Sequence, residues 1–141
     1  MLRIIHTADW HLGHYLHGIS RHYEHQQFLA FLLQQLKETQ ADALIVAGDI
    51  FDTANPPASA QTQLYDFLVQ ARAENPQIDI ILIGGNHDSA TRLDAPATLL
   101  KSLGISVVGG IQKNSGGSID WQRLIIPLHN KQNEISAWCG A

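Results

Sequence analysis

In residues 43–52, Ala43-Leu44-Ile45-Val46-Ala47-Gly48-Asp49-Ile50-Phe51-Asp52, five apolar residues run without interruption into a glycine and two carboxylates. A short continuous apolar run of this kind marks a strand covered on both faces, as in a parallel sheet. The polar cluster then falls where the strand ends and a loop begins. The same arrangement occurs twice more. Leu2 to Thr7 leads into Asp9-Trp10-His11, and Ile78 to Ile83 leads into Gly84-Gly85-Asn86-His87-Asp88. In an open α/β sheet, ligands bind at the carboxyl ends of the strands. Asp, His and Asn gathered there make a site of mixed oxygen and nitrogen donors, suited to Mn²⁺, Fe²⁺ or Zn²⁺.

Helical patterns separate these runs. From about Arg21 to Thr39, Phe28, Leu32 and Leu36 recur at i, i+4 and i+8, with Leu29 and Leu33 widening the stripe. Asn55-Pro56-Pro57 breaks the chain. Ser59 is placed to cap a second helix whose buried face is Leu64, Phe67, Leu68 and Ala71. Pro96 opens a third, running to about Leu103 and ended by Gly104. Strands follow at Ile105 to Val108 and, beyond a turn at Ser115-Gly116-Gly117, at Leu124 to Ile126. The order β-α-β-α-β-α-β-β predicts an α/β fold with a mainly parallel sheet flanked by helices. The stretch Glu134 to Ala141 reads as the start of another strand that then stops, which suggests a fragment. Gly13 to Ser20 reads as a loop.

At 141 residues with 45% hydrophobic and 16% charged residues, the chain can bury a core and is not a disordered segment. Nine basic against thirteen acidic residues give a net charge of −4, which argues against broad coating of nucleic acid but leaves a local DNA contact open. The one cysteine, Cys139, rules out an internal disulfide framework and is assigned no role. The amino terminus is too short and too polar for a signal peptide, and no apolar run reaches membrane length, so no membrane contact and a cytoplasmic location are expected.

Phosphate esters resist hydrolysis because nucleophile and ester are both anionic. Two cations roughly 3.5–4 Å apart cancel that repulsion and generate hydroxide near neutral pH. Asp49 is the candidate bridging carboxylate. Asp9 and His11, at i and i+2, share a face if the chain stays extended there. Asn86 offers an amide oxygen. His87 points elsewhere and suits a general acid or an electrostatic clamp on the phosphate. Asp52 or Asp88 is placed to hold an imidazole by its other N–H, and Gly48 and Gly85 permit tight turns beside the metals. Each motif alone fits ordinary turn chemistry; the three together, each after an apolar strand, do not. The other histidines are read as structural or solvated. His6 packs near the sheet, His14 and His17 lie in a loop where phosphate or DNA contact is the alternative, and His22 and His25 sit at a helix start. His129 is tempting as a missing ligand but matches no motif. Trp10 is read as core.

Asp9-x-His11, Gly48-Asp49-x-x-Asp52 and Gly85-Asn86-His87-Asp88 resemble the first three motifs of the calcineurin-like metallophosphoesterases, an αββα β-sandwich family. His6-Thr7-Ala8-Asp9-Trp10-His11-Leu12-Gly13, Val46 to Asp52 with Pro56-Pro57, and Gly84 to Ser89 narrow the resemblance to the SbcD branch of DNA-repair nuclease subunits. That resemblance implies a Mn²⁺-dependent 3′–5′ exonuclease and single-strand endonuclease, an SbcC-type ATPase partner, DNA as substrate and a homodimer. It implies Asp9, His11, Asp49 and Asn86 as ligands of two divalent metal ions, with Asp49 bridging and His87 catalytic; Gly48, Asp52, Gly85 and Asp88 support them. The family draws further histidine ligands from two later motifs, one a lone His and one Gly-His-x-His, and neither occurs here. Residues 1–141 are therefore expected to be the amino-terminal portion of the nuclease domain, ending before those motifs and inactive alone. The alternatives are another phosphoesterase of the family, such as a phosphatase or cyclic-nucleotide phosphodiesterase, or a non-catalytic dimerisation module.

Overall fold

A computed structural model describes all residues from 1 to 141. Strand β1 (Ile4–Thr7) is followed by a small hairpin of β2 (Tyr15–Leu16) and β3 (Ile19–Ser20), then helix α1 (His22–Thr39), β4 (Ala43–Ala47) and α2 (Ala58–Glu74). Next come β5 (Asp79–Ile83), the short helices α3 (Ala90–Asp94) and α4 (Ala97–Ser102), β6 (Ile105–Val108), α5 (Trp121–Leu124), β7 (Ile125–His129) and β8 (Ile135–Gly140).

The main sheet has the order β1-β4-β5-β6, all parallel. Each crossover adds the next strand on the same side. Right-handed crossovers taken in one direction put their helices on one face of the sheet. Strand alternation separates the faces. Leu44, Val46, Ile80, Leu82, Ile105 and Val107 join Leu29, Leu32, Leu36, Leu64, Phe67 and Leu68 in one core. Ala43, Ile81 and Val108 turn the other way, against Leu124, Ile126 and Leu128. That second face is covered by the antiparallel β7–β8 pair, which has a register shift at Leu128/His129. One sheet carries helices outside and a β layer inside, half of an αββα sandwich. No helix is long and apolar enough to cross a membrane.

Several local expectations change. The first strand is confined to Ile4–Thr7, and the loop after Gly13 folds into the β2–β3 hairpin. Its turn is His17-Gly18, with φ of 51° and 79°, the left-handed pair that matches strand twist in a two-residue hairpin. Ser59 lies inside α2 rather than capping it; Pro57 takes the cap position with no side-chain hydrogen bond, its fixed φ of −63° suiting a helix start. The stretch before Pro96 forms α3, because the Ser89 hydroxyl accepts from the Arg92 amide. Gly104, at φ 72°, closes α4 as expected. The strand expected at Leu124 to Ile126 is shifted to Ile125–His129 and preceded by one helical turn.

Candidate metal centre

The three polar clusters meet at the carboxyl ends of β1, β4 and β5. Their loops are stitched by main-chain hydrogen bonds. The amides of Asp9, His11 and Leu12 donate to the carbonyls of Gly48, Asp49 and Ile50 at 3.1, 2.9 and 2.9 Å. Gly48 N–H donates to Ile83 O at 2.8 Å, and Asp52 N–H returns to Leu12 O at 3.1 Å. Trp10 anchors the first loop from below. It is 4% exposed, meets Phe28 and Phe67 edge-on at 5.8 and 5.3 Å, and donates from Nε1 to Thr7 Oγ1. Its reading as a core residue holds.

The backbone is unusual where the candidate ligands sit. Asp9, His11 and Asp49 have φ of 55°, 48° and 43°, left-handed values that non-glycine residues seldom adopt. Asp9 and His11 therefore do not share a face by extended alternation. The strand has ended at Thr7, and two left-handed residues bring both side chains round to Asp49. Ligand atoms of Asp9, His11 and Asp49 all lie within 4.8 Å of one another. His11 Nε2 is 3.9 Å from Asp49 Oδ2. Strain held at a cluster of donors is characteristic of a functional site.

Asp49 is 9% exposed and its two oxygens divide their tasks. Oδ1 accepts from the His87 amide at 2.9 Å, and Oδ2 faces His11. Gly85 passes so close that a Cβ there would collide with the Asp49 amide and carboxylate, so glycine is required at that position. Asp88 holds no imidazole. Its carboxylate accepts from the amides of Gly85, Ile50 and Phe51 at 2.9, 3.0 and 2.9 Å, tying the third loop to the second. Asp52 is the carboxylate beside the imidazoles: its Oδ1 is 3.3 Å from His11 Nδ1 and 3.0 Å from His14 Nδ1. His14, read from sequence as a loop residue, thus belongs to the cluster; a polar residue three positions after His11 was the only sequence signal for it.

His87 is exposed, with its ring 5.1 Å from that of His11 and Nδ1 donating to the Asp52 carbonyl at 2.9 Å. That backbone hydrogen bond raises its pKa above the ordinary histidine value; desolvation opposes the rise, and nearby Asp49, Asp52 and Asp88 add to it. Asn86 is exposed beside it. His129 lies at the opposite end of the sheet, where its amide and Nδ1 meet the Asp79 carboxylate at 2.6 and 3.1 Å. It cannot serve as a ligand here.

The donor set fits divalent cations. Two carboxylates and an imidazole converge, and a Cβ-free cradle at Gly85 admits the Asp49 carboxylate. Residues 2–135 match the calcineurin-like phosphoesterase family, and the chain belongs to it. Within that family it is similar to the SbcD subunit of the nuclease SbcCD from Rhodobacter capsulatus, 47% identical over 136 residues, which cover 96% of this chain and 33% of the relative. Proteins of the same name from Bacillus subtilis and Escherichia coli are 44% and 41% identical over 108 and 107 residues. Those matches cover 77% and 76% of this chain and 27% and 26% of the relatives, so it spans at most about a third of their length.

Proposed function

We propose that residues 1–141 are the amino-terminal portion of the nuclease domain of an SbcD-type subunit that hydrolyses DNA phosphodiesters, as a 3′–5′ exonuclease and single-strand endonuclease. The observation that carries this reading is the convergence of Asp9, His11 and Asp49 at the strand ends, with His87 beside them. The 47% identity to a nuclease subunit supports DNA as the substrate. Two divalent cations, taken here as Mn²⁺, supply charge neutralisation and water activation at such a site.

Asp9, His11 and Asp49 would hold the first cation. Asp49 and Asn86 would begin the second position, which takes more donors than these two. Asp52 lies beside His11, its Oδ1 3.3 Å from His11 Nδ1, and Gly48, Gly85 and Asp88 fix the loops. His87, engaged through Nδ1, keeps Nε2 free to protonate the leaving oxygen or to bind a phosphate oxygen. An SbcC-type ATPase partner, a homodimer of nuclease subunits and a cytoplasmic setting complete the proposal.

The test compares this chain with a version extended to the relatives' length. Calorimetry with Mn²⁺ should show two tight sites in the long form and one weak site or none in the short form. The long form should cleave DNA. Cleavage of small phosphomonoesters without cleavage of DNA would assign a different phosphoesterase of the family; two tight sites in the short form would overturn the ligand set.

A further inference from the structure

His11 faces two donor clusters, one on each ring nitrogen. Nε2 looks toward Asp49 Oδ2 at 3.9 Å. On the other side, ligand atoms of His11, Asp52 and His87 also lie within 4.8 Å of one another. His11 Nδ1 is buried and makes no hydrogen bond, although Asp52 Oδ1 is only 3.3 Å away. A tetrahedral site with bonds of about 2.0–2.1 Å has donor-to-donor edges of about 3.3 Å, so this pair is already spaced as two ligands of one ion. His14 Nδ1, 3.0 Å from the same oxygen, steadies Asp52 from the loop side. His87 keeps Nδ1 on the Asp52 carbonyl at 2.9 Å and has Nε2 to offer. Two imidazoles and one carboxylate form a nitrogen-rich set that favours Zn²⁺ over the harder Mn²⁺.

We propose that His11, Asp52 and His87 form a Zn²⁺ site, and that its occupation excludes a cation from the Asp9, His11 and Asp49 cluster. A neutral imidazole has one lone pair. Zn²⁺ on Nδ1 leaves the proton on Nε2, which then cannot ligate toward Asp49. The exclusion rests on the proposed role of Asp9, His11 and Asp49; the Zn²⁺ site itself does not.

The experiment titrates the 141-residue chain with Co²⁺, as a spectroscopic stand-in for Zn²⁺, and follows visible absorption. A strong four-coordinate band is expected. Affinity should fall at least tenfold in Asp52→Asn and in His87→Ala, and remain in Asp9→Asn. Because His87 is exposed, its truncation removes a donor without opening the core. In the version extended to the relatives' length, Zn²⁺ should displace Mn²⁺ from one site and should not do so when that version carries His87→Ala. A band lost in Asp9→Asn but kept in Asp52→Asn and His87→Ala, or no band at all, would overturn the site. Two tight Mn²⁺ sites that persist in Asp9→Asn of the extended version would instead overturn the first cluster and leave the Zn²⁺ site standing.

Discussion

The Asp88 carboxylate, borne on the third loop, accepts hydrogen bonds from the backbone amides of Ile50 and Phe51 on the second, at 3.0 and 2.9 Å. It closes on the Gly85 amide as well, at 2.9 Å. One side chain thus fixes the loop that carries Asp49 to the loop that carries Asn86 and His87.

Replacing Asp88 by Ala leaves three amides without their acceptor. Hydrogen bonds to a charged group contribute roughly 1.5–3 kcal/mol each, and water recovers part of that at a half-buried site, so a loss of about 3 kcal/mol is expected. Urea unfolding of the chain measures it. A loss under about 0.5 kcal/mol, the range of ordinary surface changes, would show that the loops are held by other contacts.

Gly85→Ala should be worse for binding than for folding. The added methyl meets the Asp49 carboxylate and amide, so either the carboxylate turns away or the loop shifts. Overpacking of this kind costs about 1–3 kcal/mol. Divalent-cation binding should fall by more than tenfold in calorimetry. Unchanged affinity would mean that Asp49 is not held in its binding position by this approach.

Asp49→Asn and His87→Ala separate holding from chemistry in the long form. Asp49→Asn should weaken both cations together; loss of one alone would deny Asp49 the bridging role. His87→Ala should slow DNA cleavage by roughly 10²–10⁴-fold, the range for a general acid, while Mn²⁺ affinity changes little. Loss of Mn²⁺ in that variant would make His87 a ligand of the hydrolytic pair instead.

His25 gives the pH dependence. Its Nδ1 is buried without a partner, and desolvation lowers its pKa, with the nearby positive charge of His14, His22 and Arg21 adding and Glu24 opposing. The folded state therefore resists protonation more than the unfolded state, whose histidines titrate near about 6.5. Stability is complete above that value and falls as pH drops through it toward the lower folded-state pKa. His25→Gln should flatten the decline in melting temperature between about pH 7 and pH 5 relative to wild type. An unchanged slope would show that His25 takes no part.

The strands were legible because their apolar runs are short, uninterrupted and each followed by glycine or a polar cluster. Leu44 and Val46 face the helices while Ala43 faces β7 and β8, so both faces must be apolar, and the sequence says so. Part of the cluster was legible: Asp9, His11 and Asp49 do converge. The route was not. Alternation placed Asp9 and His11 together for a reason that stops applying at Thr7, where left-handed residues take over. The hairpin at Tyr15 to Ser20 was hidden because its strands are two residues each, too short for any periodicity.

What the sequence by itself determined is the alternation of buried strands and helices and the chemistry of the three clusters, because periodicity and residue type are local properties. Only the tertiary structure decided how those clusters divide their labour. Asp52 and Asp88 are interchangeable as carboxylates on paper. Long-range main-chain bonds set one against His11 and His14 and the other against the amides of Ile50 and Phe51. Which face received the helices was likewise settled by strand order: crossovers of one hand, always stepping the same way, leave the opposite face to β7 and β8.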